Sequence, residues 1–276
     1  MSALKRSAAA LCMLGLLGAC ATPAPPLDGP AQARLEALLP ADVLLLGEQH
    51  DAPEHQQLQR QVVTWLAGRG QLAALALEMA EQGRSTAGLP PQASQEQVRQ
   101  ALAWREAGWP WARYGPQVMA AVRAGVPVLG ANLPRARMRE AMGDETLDAR
   151  LPGPALAAQR QRIREGHCHL LPEAQVAPMT RIQMARDMAM AHTVQAARAP
   201  GRTVLLIAGN GHVRRDAGVP HFLPADARVR VLSAQAGAAP ADDKEQALHA
   251  HDLRWPTPPV PPRDHCAALR QSLSRR

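Results

Sequence analysis

Lysine is almost missing from this 276-residue sequence: of 31 basic side chains only Lys5 and Lys244 are lysines, and the rest are arginines. Aromatic residues are equally scarce at 3%, with a single tyrosine and a single phenylalanine. The arginines are scattered and have almost nothing to interleave with. The formal charge of +7 therefore does not point to nucleic acid, which calls for a basic stripe with stacking side chains. Four cysteines are too few for a disulfide-dense scaffold. A charged fraction of 20% with 25 prolines excludes a coiled coil. Only Ala8–Leu17 is continuously apolar, and it is too short to span a bilayer. What remains is one large or two small globular domains with a sizeable core, preceded by a distinctive front end.

That front end has three parts. Lys5 and Arg6 make a positive start, Ala8–Leu17 is an apolar stretch of signal-peptide length, and Leu17-Gly18-Ala19-Cys20 follows. Small residues before a cysteine suit a lipoprotein signal peptidase, so residues 1–20 read as a lipoprotein signal with Cys20 as the acylated residue. Residues 21–30 read as a Pro-rich tether. Ala21 is not aspartate, which favours the outer membrane of a Gram-negative bacterium, facing the periplasm. Acyl chains then supply the membrane anchor. The compartment is oxidising. Cys12 leaves with the leader, so Cys168 and Cys266 are the remaining thiols, and one disulfide between them is the simplest outcome. The alternative is a ligand role for Cys168, which lies in His167-Cys168-His169.

Five short apolar runs read as buried strands: Val43–Leu46, Leu72–Leu77, Val126–Gly130, Thr203–Ala208 and Arg228–Ser233. Helical patterns lie between them, over Ala31–Leu39, Glu54–Leu66, Gln95–Arg105, Gln117–Arg123, Pro134–Arg164 and Glu173–Arg198. This alternation predicts an α/β fold, a mostly parallel sheet flanked by helices, with a smaller helical subdomain inserted before the fourth strand. The main domain spans 31–238, the helical subdomain about 134–198, and an extended Pro-rich tail 239–276. Trp255–Pro262 carries too many prolines for a helix or a central strand.

Polar residues collect where the strands end. Gly47-Glu48-Gln49-His50 follows the first, Glu78-Met79 the second, Asn132-Leu133-Pro134-Arg135 the third and Gly209-Asn210-Gly211-His212 the fourth. In parallel α/β sheets those carboxyl ends line one ligand crevice. Glu48, His50, Glu78 and His212 are donors suited to a divalent metal or to acid–base work. Three of the five tryptophans and the only tyrosine gather in Trp104–Pro116, a surface that suits a planar apolar ligand. Met184, Met188 and His192 fall at i, i+4 and i+8 on one helical face.

Six segments taken together resemble a known family. They are Gly47–His55, Leu77–Met79, Trp111–Pro116, Pro127–Arg135, Arg186–Ala191 and Gly209–Pro220. The chain is similar, in order from about Asp42 to Val231, to the ChaN family of bacterial haem-binding uptake lipoproteins. The family's common form has two adjacent histidines after the GExH segment; here His55 is followed by Gln56. The resemblance implies a haem-binding periplasmic lipoprotein that assists haem or iron uptake without catalysis, and haems brought together at the interface of a homodimer. For such a protein Tyr114 is the expected ferric haem ligand, a hard anionic donor. Trp111 is expected against the macrocycle, and Arg113, Arg135 or His212 at the propionates. Met or His from the Met184–His192 helix is the fallback for the iron. The wider set includes Tiki proteases and erythromycin esterases. It implies the alternative of a metal-dependent hydrolase, with zinc or manganese held by Glu48, His50, Glu78 and His212.

Overall fold

The computed structural model describes residues 26–237 and 250–274. The lipobox, Cys20 and most of the tether lie outside the described residues, as do 238–249 of the tail. Nothing in the described helices is long and apolar enough to cross a membrane.

The sheet has six strands, all parallel: β1 Val43–Glu48, β2 Leu72–Glu81, β3 Val128–Asn132, β4 Thr203–Gly209, β5 Val229–Ala236 and β6 Leu253–Thr257, ordered β3-β2-β4-β1-β5-β6. Every residue of β1 and β4 is buried, as continuous apolar runs covered on both faces require. Helix α1 (Gly29–Glu36) precedes β1, α2 (Pro53–Gly68) crosses from β1 to β2, and α3 (Gln95–Ala101) and α4 (Trp111–Arg123) connect β2 to β3. One core layer packs Leu58, Val62, Val118 and Val122 of α2 and α4 against Leu75, Leu77 and Ile207; the opposite layer packs Met190, Ala191 and Val194 against Val43, Leu45 and Leu206. Between β3 and β4 lies the helical insertion, α5 (Met138–Gly143), α6 (Gly153–Gly166) and α7 (Glu173–Ala196). It has a small core of its own, built on Leu133, Ala141, Leu147, Leu151 and Met184.

Two elements differ from the sequence reading. Helix α4 begins at Trp111, six residues ahead of the expected start, and carries Pro116 inside it. The Glu106 carboxylate accepts the Trp111 N–H at 3.1 Å and so caps the helix start; Pro116, in the second turn, leaves the Ala112 carbonyl without its i+4 donor and the helix continues past it. The Pro-rich tail supplies a sixth strand. Pro256 is tolerated because β6 is an edge strand, with only β5 to pair with. A terminal helix, His265–Ser274, follows, and Cys266 is bonded to Cys168 in the turn between α6 and α7.

Candidate functional site

The register of the sheet assembles the site. Glu48 at the end of β1 stands opposite Gly209 at the end of β4, and Leu77, just before Glu78, stands opposite Ile207. The carboxyl ends of β1, β4 and β2 are therefore level, and their exit residues converge.

Glu48 is buried and saturated with donors. Its Oε1 accepts the Tyr114 hydroxyl at 2.7 Å and the His50 Nδ1–H at 2.7 Å; its Oε2 accepts the Gln56 and Gln59 amides at 2.7 and 2.5 Å. Gln117 of α4 donates in turn to Gln59 Oε1 at 2.9 Å. His50 is thus held in one tautomer, with Nε2 facing Glu78 Oε2 at 3.9 Å and its ring edge-on to Trp109 at 4.9 Å. Burial alone would lower the His50 pKa, but the bond to Glu48 and the charge of Glu78 raise it. The side chain is 43% exposed, the open member of the group.

The second half is fully enclosed. His212 lies between two buried carboxylates, with Nδ1 2.5 Å from Asp187 Oδ1 and Nε2 3.4 Å from Glu78 Oε1. Glu78 Oε2 accepts the Gly209 N–H at 2.7 Å. Burial would discharge His212, but Glu78 and Asp187 hold it protonated, with a pKa pushed up to about 10. Burial would raise Glu78, yet His212, His50 and the Gly209 N–H bring it down to about 2. Burial dominates at Asp187, raised to about 6 against the pull of His212. Among the described residues, Asp187 Oδ2 is a buried polar atom without a hydrogen-bond partner.

All four residues expected at the strand ends, Glu48, His50, Glu78 and His212, therefore come together. Among the described residues no group of three or more His, Cys, Asp or Glu side chains is placed to hold an ion. In this arrangement both oxygens of Glu48 and of Glu78, and both nitrogens of His212, are paired with neighbouring groups.

Two other expected residues face inward. Trp111 is buried, with Nε1 donating to Gln95 Oε1 at 2.7 Å; its ring lies over Gly115 one turn on, where a Cβ would come within 2.5 Å. Tyr114 is 1% exposed and its hydroxyl is given to Glu48. Burial and the neighbouring carboxylates push its phenol further up from its ordinary value. In this arrangement the Tyr114 hydroxyl supports Glu48. Arg113 is exposed and donates to the His50 carbonyl at 3.1 Å, and Arg135 is exposed beside Trp109.

Two clefts adjoin this centre and share Leu133 as a wall. One, of about 390 Å³, lies between the Trp109 loop and the start of the insertion, with Glu78, Trp109, Met138, Arg105, Arg135 and Arg186 around it. The other, of about 400 Å³, lies between α5 and α7, with Ala141, Ala185, Met188, Ala189, His192 and Arg137. The two clefts meet at Leu133 in a trough lined by apolar side chains, by arginines and by the carboxylates of Glu78, Glu81, Glu140 and Asp144. Sequence reasoning placed Met188 and His192 on one helical face and singled out the Trp104–Pro116 stretch that holds Arg105 and Trp109, but it did not name Arg186 as a lining residue. It also missed Asp187, whose signal was one acidic residue in a Met- and Ala-rich helical run.

Fold and site together define an all-parallel α/β protein with an internally paired ionic crevice at the strand ends and a trough of mixed apolar and charged lining beside it. The chain matches the family model described as haem-binding uptake, Tiki superfamily, ChaN, over residues 34–223, and it belongs to that family. In structure it is similar to ChaN of Campylobacter jejuni, described as binding haem cofacially, with a TM-score of 0.67, 23% identity, and coverage of 80% of this chain and 90% of that one. Looser likenesses are to the type III effector HopBA1 (TM-score 0.47, 17% identity, 86% and 96% covered) and a Bacillus cereus protein (0.44, 13%, 76% and 70%). No curated protein matches the chain.

Proposed function

We propose that this protein binds haem in the trough and hands it on during haem or iron uptake, as an outer-membrane lipoprotein anchored through Cys20 and facing the periplasm. The observation that carries the reading is the trough itself. Haem is a planar apolar body with two carboxylates at one edge. An apolar floor of Leu133, Met138, Ala141 and Met188, with Trp109 at one end, suits the macrocycle, and Arg105, Arg135 and Arg186 suit propionates. With Tyr114 enclosed, the iron ligand falls to α7, where His192 is exposed and Met188 half-buried at the cleft. Neutral imidazole and thioether are both established haem donors. The trough is open on one side, so a second copy of the chain is the natural cover for the other haem face. The cofacial haem binding described for the C. jejuni protein supports that pairing.

The test is a haem titration of the chain lacking residues 1–20, followed by absorption. Saturation at one haem per chain is expected. Arg105→Ala with Arg135→Ala should weaken binding by roughly 10-fold or more, since each charge-assisted bond contributes about 1.5–3 kcal/mol. No saturable uptake, or unchanged affinity in the double variant, would remove the trough from the account.

A further inference from the structure

Helix α7 walls both clefts, with Arg186 lining one and Met188 the other, yet its sequence gives it no single apolar face. Val176, Met184, Ala191 and Val194 are buried, while Ala185 and Met188 are apolar on the cleft side. With no single apolar face, the burial of apolar side chains by itself specifies the rotation of α7 only weakly. Two ionic contacts specify it: Arg181 pairs with Asp148 inside the insertion, and Asp187 ties the helix to the strand ends. Asp187 lies between Arg186 and Met188, is fully buried, and meets His212 Nδ1 at 2.5 Å; His212 reaches on to Glu78, and Glu78 to the Gly209 N–H. Rotating α7 by one residue position, about 100°, would withdraw Asp187 and strand buried charges without partners, which is strongly unfavourable.

We propose that Asp187, His212 and Glu78 form a register pin that fixes the rotation of α7 and so holds Met188, His192 and Arg186 in position for the cargo. They are positioning residues, acting through the helix. The role in binding rests on the reading of the trough as a haem site; the pin itself can be read without haem.

The experiment compares the wild type with Asp187→Asn, Glu78→Gln and the double variant Asp187→Leu/His212→Leu, which removes the Asp187–His212 pair at similar bulk and is also made with Glu78→Gln so that no buried carboxylate is left without its partner. Methionine methyl-13C spectra are recorded on ligand-free protein, then haem is titrated. The Met188 methyl signal is expected to shift or split in the variants while that of Met119, in the other core layer, stays put. Haem affinity should fall about 10-fold or more, the usual effect of removing support behind a ligand. A Met188 signal and an affinity both unchanged in the double variant would overturn the pin. If the wild type takes up no haem, the cargo reading fails, and the Met188 signal still decides the pin. Should Asp187→Asn fail to fold, the double variant and Glu78→Gln carry the same readouts.

Discussion

A buried carboxylate is stable only if its lone pairs are met, and Glu48 meets all of them with four donors from three elements. Tyr114 is one of those donors, which fixes what its loss should do. Tyr114→Phe removes the hydroxyl and leaves Glu48 one donor short, at a cost of about 1.5–3 kcal/mol, the range for bonds to charged groups. Chemical denaturation would register this as a lower midpoint with an unchanged slope; a midpoint equal to the wild type would mean the bond contributes nothing. Which residues gather at the strand ends was legible in the sequence, because an apolar run that stops at a Glu or a Gly-Glu-x-His announces an exit. How they are used was not. Nothing in the spacing says that Gln56, Gln59 and Tyr114 would turn inward to a carboxylate, since glutamine on a helix reads as solvated surface and a lone tyrosine in a tryptophan-rich stretch reads as ligand-facing. Only the packing of α2 against α4 brings these side chains together.

At the scale of elements, α7 and the ends of β2 and β4 are joined by one buried histidine, and that makes their docking sensitive to pH. His212 has a pKa of about 10 in the folded chain against 6.5 when free. Between those values the folded state holds a proton that the unfolded state has released, so stability falls as pH rises. Asp187, raised to about 6 from 3.8, slopes in the same direction at lower pH; Glu78, lowered to about 2 from 4.5, loses its contribution only as pH falls through that window. Melting temperatures taken from pH 6.5 to 10 should therefore decline for the wild type and lose that decline in Asp187→Leu/His212→Leu. Parallel curves would show that His212 titrates normally. The strands were read correctly because continuous apolar runs have few alternatives; their ends ran one to four residues further than the runs. Helix α4 and strand β6 were the difficult elements, both for the same reason. Proline read as a break in both places, yet Pro116 costs α4 a single bond, that to the Ala112 carbonyl, and Pro256 lies on a strand at the edge of the sheet.

Across the whole molecule, the terminal helix is held by little besides its sulfur bridge. His265 offers a 70% exposed ion pair with Asp51, and such surface pairs contribute about 0–1 kcal/mol. The Cys168–Cys266 bond closes a separation of 98 residues, which in the loop-entropy model stabilises by about 4–5 kcal/mol, with strain reducing it in practice. Cys168→Ser/Cys266→Ser should melt several degrees lower and become susceptible to trypsin at Arg263 and Arg270; an unchanged melting temperature would show the bridge to be unimportant. The central claim is that haem lies in the trough with its iron on α7, and the absorption spectrum of the ferric haem complex tests it most directly. The Soret and charge-transfer bands of wild type, His192→Ala, Met188→Ala and Tyr114→Phe would be compared at saturation. The bands should change in His192→Ala or Met188→Ala and match the wild type in Tyr114→Phe. A spectrum altered by Tyr114→Phe and untouched by both α7 substitutions would contradict the account.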